Sequence, residues 1–296
     1  MKEINGIAVQ NIQAGWLQQN RVHLDVLRLD EWHPVVSGNK WFKLQHYLQE
    51  AKEKGFASIA TFGGAYSNHI VATAFACKET GLPSIGIIRG EKPKQLSHTL
   101  VNAEAYGMQL QFVSREAYRE KETIKASLPD VYWIGEGGYG ELGARGAADI
   151  LPLADDWETY THIVCAVGTG TTLAGLIKRA LPHQTIIGFS ALRNNTGIEE
   201  EINKLLSESE KAKPWLIVHD YPFGGYAKYN AALLDYMNEV WQQYQLPLDF
   251  VYTAKAFYGL QDMIEKEDIF NAGSRILFIH TGGLQGNESL PGFFPG

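Results

Sequence analysis

Cysteine is scarce in this chain: only Cys77 and Cys165 occur among 296 residues. Each sits in an apolar context, so a disulfide framework is not expected, and a reducing cytoplasm suits the composition. Long apolar runs are missing too. None approaches the ~20 residues that a membrane-spanning helix needs, and the opening segment MKEINGIAVQNIQAGW lacks the lysine- or arginine-led hydrophobic core of a signal peptide. Positive charge is sparse and scattered, with a formal net charge of −7 and a pI near 5.7. Nucleic acid and membrane are therefore not expected as partners. The one dense basic stretch, Glu91-Lys92-Pro93-Lys94, reads as a solvated loop. Nine histidines show no HxxxH or HxH spacing, so no metal centre is expected. Internal repeats and low-complexity segments are absent.

What is present is ample apolar material, 45% of the residues, enough for a large core in two lobes. Val22 to Arg28 alternates apolar and polar residues, as a strand with one exposed face does. A loop from Leu29 to Val36 follows. From Ser58 the pattern alternates strand and helix. Strands are expected at Ser58–Phe62, Ile85–Ile88, Gln109–Val113 and Val131–Ile134, with helices at Leu96–Ala105 and about Glu116–Ser127. After the glycine cluster 135–140 come strands Ile163–Val167, Thr185–Phe189, Leu216–Val218, Phe250–Tyr252 and Ile276–Ile279. Such alternation predicts parallel sheets. The expected class is α/β: two open, twisted, mainly parallel sheet lobes, the smaller (52–134) inserted into the larger (1–51 and 135–296).

Three stretches carry the chemistry. In SGNKWFKLQHYLQEAKEKG, Ser37 and Gly38 make a turn, Asn39 suits an N-cap, and Lys40 falls at the first helical position. Leu44, Leu48 and Ala51 give that helix a buried face, and Gly55 closes it. A cation at a helix N-terminus is disfavoured by the helix dipole, by roughly 0.3–1 kcal/mol, which favours the neutral, nucleophilic amine. Taken alone, Lys40 reads more readily as a solvated lysine at a frayed end. In GGAYSNH, Ser67 is a natural N-cap for a helix with Ile70, Ala74 and Cys77 on one face, ending at Gly81. The free N–H groups at its start suit a carboxylate or phosphate.

The third stretch is Val167-Gly168-Thr169-Gly170-Thr171-Thr172, directly after a buried strand. Glycines let backbone approach an anion, and the following helix aims its N–H groups at it. No Gly-Lys-Ser/Thr follows, which argues against a nucleoside triphosphate. The next strand ends Phe189-Ser190-Ala191-Leu192 without an acid for a ribose, which weakens the dinucleotide reading. A monophosphate cofactor needs neither feature.

GNKWFKL followed by GGAYSNH resembles the aminocyclopropane-carboxylate deaminase and D-cysteine desulfhydrase family, within the tryptophan-synthase-β-like (fold type II) pyridoxal-phosphate enzymes. The resemblance covers most of the chain. It implies a pyridoxal 5'-phosphate enzyme with its cofactor in the cleft between the lobes, a small amino-acid substrate, and a homodimer. It makes Lys40 the Schiff-base lysine and Lys43 a second, non-covalent lysine. Asn68 would meet the cofactor's phenolic oxygen, and Ser67-Asn68-His69 the substrate carboxylate. Thr169, Gly170, Thr171 and Thr172 match the phosphate loop, while Tyr252 and Tyr226 correspond to tyrosines bordering the substrate.

By the same resemblance, Thr253 faces the pyridine nitrogen, offering a neutral hydroxyl where a carboxylate would keep that nitrogen protonated. Ring-opening deaminases carry glutamate there and glutamine in place of His69; D-cysteine desulfhydrases carry threonine and histidine. The expected reaction is thus β-elimination from D-cysteine to pyruvate, sulfide and ammonia, with Lys40, Ser67 and Tyr252 as catalytic residues. The nearest alternative is 1-aminocyclopropane-1-carboxylate deaminase; a nicotinamide-dependent dehydrogenase and a catalytically silent cofactor-binding protein are more remote. Ala227-Lys228-Tyr229-Asn230 departs from the family's continuation after Gly224-Gly225-Tyr226, which bears on substrate identity. The glycine turn after Phe278-Ile279-His280-Thr281 is expected to close the cleft.

Overall fold

The computed structural model describes residues 6–33, 35–36, 38–193, 195–266 and 269–290. The turn expected at Ser37 and the loop proline Pro34 lie outside those residues. The strands are β1 (Val9–Ile12), β2 (His23–Leu27), β3 (Ile59–Gly63), β4 (Ser84–Arg89), β5 (Met108–Val113), β6 (Tyr132–Ile134), β7 (His162–Val167), β8 (Thr185–Ser190), β9 (Trp215–Val218) and β10 (Arg275–Ile279). The helices are α1 (Gly15–Asn20), α2 (Asn39–Glu53), α3 (Asn68–Thr80), α4 (His98–Ala105), α5 (Lys121–Ala126), α6 (Glu141–Ala148), α7 (Thr171–Arg179), α8 (Ile198–Asn203), α9 (Glu208–Lys211), α10 (Ala231–Tyr244) and α11 (Thr253–Glu265).

Two sheets result. The larger runs β1-β2-β10-β7-β8-β9 and the smaller β5-β4-β3-β6. Every described pairing is parallel except β1 with β2. The chain leaves the large sheet after β2 and returns to it at β7. Parallel strands covered on both faces read as continuous apolar runs, and β7 shows why. Val164 and Ala166 join one core, while Ile163, Cys165 and Val167 join the core on the other face. The two cysteines, Cys77 and Cys165, are buried and unpaired.

The expectation of an exposed face on β2 is wrong. This strand lies between β1 and β10, and only its first residue, His23, is partly exposed; its polar Asp25 is buried with partners. Asp25 accepts from Tyr160 Oη at 2.7 Å and Asn11 Nδ2 at 2.8 Å. Arg28, just beyond the strand, pairs with Asp30 at 2.7 Å and Gln10 Oε1 at 2.7 Å. Paired burial is the condition under which charged groups leave water.

A second correction concerns Phe250–Tyr252, which is not a strand. The Asp249 carboxylate accepts the N–H groups of Val251 at 2.9 Å, Tyr252 at 3.0 Å and Thr253 at 2.8 Å. A strand would offer those donors to a neighbouring strand; here one side chain captures three in succession and starts α11 instead. The helix expected over 116–127 also breaks. It becomes a 3-10 turn at Ala117–Arg119 and α5, because Tyr118 turns inward against Phe62 (5.7 Å, edge-on).

Candidate functional site

Three helices begin at one cleft between the sheets, and each start belongs to one of the three sequence stretches. The start of α2 is Gly38 rather than Asn39. Gly38 has φ of 68°, and a Cβ there would collide with the Thr281 carbonyl, so only glycine allows this approach. Asn39, inside the helix, is freed from capping. Its Nδ2 donates to Thr172 Oγ1 at 2.7 Å and its Oδ1 accepts from Lys40 Nζ at 2.7 Å. One amide therefore joins the lysine to the start of α7.

Burial pushes the Lys40 amine down to about 8, against the upward pull of the Asp249 carboxylate. Lys43, 4% exposed, is held well below the usual lysine range by burial and then by the charge of Lys40. Lys43 Nζ donates to the Gly137 carbonyl at 3.3 Å. A third buried lysine, Lys255, is also lowered to about 8 by burial, but its Nζ donates to Pro222 O at 2.8 Å and Gly225 O at 2.6 Å. Its work is to pin the turn below Tyr226. Of the three amines, Lys40 alone has no backbone carbonyl bond among the described residues.

At the start of α7, Gly170 is the cap residue with φ of 78°, and a Cβ there would come within 2.6 Å of Ile202 Cγ1. No side chain caps the helix, so its first N–H groups stay available to an anion. Thr169 and Thr171 share a hydrogen bond of 3.0 Å between their hydroxyls. At the start of α3, Ser67 is the cap residue, with extended backbone and no side-chain cap bond. The expected N-cap position holds, yet its hydroxyl is not spent on the helix. His69 is 2% exposed and bonds Thr61 Oγ1 through Nε2 at 2.8 Å.

The opposite wall carries Tyr226 and Tyr252, their rings 6.1 Å apart at 66° and their hydroxyls hydrogen-bonded. Burial, and then Tyr226, hold the Tyr252 phenol well above its ordinary value, so it remains protonated. Behind it, Thr253 is fully buried. Its Oγ1 accepts the Asp249 N–H at 2.7 Å and donates to Asp249 Oδ1 at 2.8 Å. With its one hydrogen given to that carboxylate, the hydroxyl has no proton left to offer a ligand.

The cavity so enclosed measures about 560 Å³, within the range of small-ligand sites. Lys40, Lys43, Ser67, Asn68, His69, Thr169, Gly170, Thr172, Tyr226 and Tyr252 all line it. Thr171 and Thr253 do not; both stand directly behind the wall, fully buried. The 281–283 turn forms part of the lining, as the glycines there suggest. Sequence reasoning missed two groups. Asn39 was legible only as a cap. Arg89 lines the cleft at the carboxyl end of β4, where ligands of open parallel sheets bind, and a charge ending an apolar run is its signal.

Pyridoxal phosphate, the cofactor that the resemblance implies, fits this donor set. An uncapped helix start with hydroxyls lies at one place, a lowered amine is tied to it through Asn39, and a second uncapped start completes the cleft. Among the described residues no cluster of metal-ligating side chains occurs.

Comparison with known proteins agrees. Residues 17–282 match the family described as pyridoxal-phosphate dependent enzyme. A Thermotoga maritima protein provisionally named 1-aminocyclopropane-1-carboxylate deaminase is 34% identical, over 88% of this chain and 88% of its own. The Arabidopsis thaliana bifunctional D-cysteine desulfhydrase/1-aminocyclopropane-1-carboxylate deaminase is 29% identical, over 90% of this chain and 74% of its own. A crystal structure described as an ACC deaminase homologue superposes with a TM-score of 0.82 at 27% identity, covering 95% of this chain and 90% of that one.

Proposed function

The chain belongs to the pyridoxal-phosphate-dependent enzyme family, and from that premise we propose that it catalyses β-elimination and deamination of a small amino acid, most like D-cysteine desulfhydrase. The observation that carries this reading is the Lys40 amine. It is lowered by burial, joined through Asn39 to the α7 start, and free of the backbone carbonyls that hold Lys43 and Lys255. Pyridoxal phosphate supplies the electron sink that lets a proton leave the substrate Cα.

The chain's own residues divide the remaining work. The α7 start, with Thr169, Gly170 and Thr172 at the cleft and Thr171 supporting Thr169 from behind, would hold the phosphate. Asn68, which lines the cleft, would meet the phenolic oxygen. Ser67 and the free N–H groups of α3 take the substrate carboxylate. Lys40, once released, accepts the Cα proton as a general base near its own pKa of about 8. Lys43 supplies a second amine, on which burial and the charge of Lys40 disfavour a proton. Tyr252, neutral and bonded to Tyr226, borders the reacting carbon and covers it from water. The β-substituent leaves, and water completes conversion to keto acid and ammonia.

D-cysteine is preferred over the cyclopropane substrate because residues 69 and 253 are histidine and threonine rather than glutamine and glutamate. A cytoplasmic location and a homodimer belong to the same proposal, the first supported by two thiols kept buried and apart, the second by the family resemblance. Side-by-side assays test it. The purified holoenzyme should release pyruvate from D-cysteine or β-chloro-D-alanine and little α-ketobutyrate from 1-aminocyclopropane-1-carboxylate. Efficient ring opening would reverse the assignment to the second activity.

A further inference from the structure

Arg89 ends β4 at its carboxyl end, solvent-exposed and on the wall of the cleft. The cations lining the cavity are Lys40, Lys43 and Arg89. Lys40 and Lys43 donate to Asn39 Oδ1 and the Gly137 carbonyl. The Arg89 guanidinium makes no ion pair and no hydrogen bond among the described residues; it lies 5.8 Å from the centroid of the Tyr118 ring. The acid that could neutralise it is spent elsewhere. Glu136, the carboxylate lining the cavity, pairs with Lys121 at 2.7 Å, and Lys121 Nζ lies over the same Tyr118 ring at 5.4 Å.

Its position limits what it can meet. Arg89 Nη2 would lie 3.8 Å from a Cβ on Gly64, and the Ser67 N–H closes a turn onto the Gly64 carbonyl at 3.1 Å. The guanidinium therefore stands beside the start of α3. Its charge also reaches Tyr226 on the opposite wall: burial raises that phenol, while the Tyr252 hydrogen bond and then Arg89 pull it back. In the reading above, Ser67 and α3 supply the donors for the substrate carboxylate, the amine is engaged by the cofactor, and the two tyrosines border the reacting carbon. The β-substituent is the group left to face Arg89. A guanidinium presents a planar fork of N–H donors suited to oxyanions. We infer that Arg89 binds an oxyanion carried on the substrate's β-carbon, so that the cleft favours amino acids whose β-substituent is a sulfate or phosphate ester. The Cβ–O bond of such a substrate breaks with its electron pair leaving on the sulfate or phosphate, the Cα proton goes to Lys40, and water completes pyruvate and ammonia. The inference rests on the amino-acid reading above and widens its substrate class; D-cysteine and β-chloro-D-alanine carry no oxyanion and react without this contact.

The test titrates holoenzyme with D-aspartate, D-asparagine and D-alanine, followed by the cofactor's visible spectrum. D-aspartate and D-asparagine match in shape, differ in charge and carry no leaving group, so they report binding alone. D-aspartate should bind about ten- to a hundredfold more tightly than D-asparagine, the worth of a hydrogen bond to a charged group. In Arg89→Gln holoenzyme that preference should vanish while D-alanine binds as before. The same variant should raise KM for D-serine O-sulfate about tenfold or more and leave KM for β-chloro-D-alanine near its original value. Equal affinity of the original holoenzyme for D-aspartate and D-asparagine overturns the inference. So does a loss of D-alanine affinity in Arg89→Gln as large as the loss for D-aspartate, since Arg89 would then serve the carboxylate that every amino acid shares. If none of the three changes the visible spectrum, the amino-acid reading fails and the inference falls with it. A failure confined to the charge preference leaves that reading standing.

Discussion

At the start of α7 the hydroxyls are already partnered, Thr169 with Thr171 and Thr172 with Asn39. At the start of α3 the Ser67 hydroxyl does not cap the helix, and His69 keeps a buried nitrogen without a partner. Both helices present uncapped N–H groups to one cleft, so both attract anions. They differ in what is settled beforehand. The α7 start is a pre-assembled grip for a group that every turnover uses, and the α3 start leaves unsatisfied positions for a ligand to complete. A held cofactor and an exchanged substrate call for that difference.

The comparison breaks if effects cross over. Thr172→Ala removes a hydroxyl at the α7 start and frees Asn39, yet leaves the buried Leu173, Leu176 and Ile177 in place. A hydrogen bond to a charged group is worth about 1.5–3 kcal/mol, so cofactor affinity should fall roughly tenfold to hundredfold with the fold intact. Ser67→Ala should instead raise KM for the amino acid and leave cofactor affinity near its original value. Equilibrium dialysis and steady-state kinetics on both variants read this directly. Unchanged cofactor affinity in Thr172→Ala would remove the phosphate role from α7.

A smaller effect sharpens the place of Lys40 between the two starts. Burial disfavours its charged form, so the amine is protonated below about 8 and free above it. An ordinary lysine changes only near about 10.4. The rate at which apoprotein takes up the cofactor should therefore climb with pH, by somewhat under tenfold between pH 7 and 8, and level off above that. Stopped-flow absorbance gives the profile. A rate still climbing steeply past pH 9 would mean that burial does not lower this amine.

Much of the α7 and α2 starts was legible in the sequence, because each is one contiguous strand–turn–helix or turn–helix segment whose residues act together. The alternation of strands and helices likewise exposes both parallel sheets. What was hidden depends on contacts between distant segments. Asn39 looks like a cap until the fold brings Thr172 beside it. His69 looks like a donor to a carboxylate until the fold sets its Nε2 against Thr61, whose own hydrogen goes to the Ile134 carbonyl. Tyr252 looks like a strand residue, since nothing local announces that the Asp249 carboxylate will capture three N–H groups. The small helix α6 was lost inside a glycine-rich stretch. Its Gly143, Ala144, Gly146 and Ala147 are buried where α6 packs against α2 and α7.

The central claim is that Lys40, rather than its buried neighbours, carries the cofactor. Borohydride reduction of the purified holoenzyme followed by peptide mapping tests it most directly. The account predicts a single pyridoxyl label on Lys40, since Lys43 and Lys255 are held by backbone carbonyls. A label on Lys43 or Lys255 would contradict it.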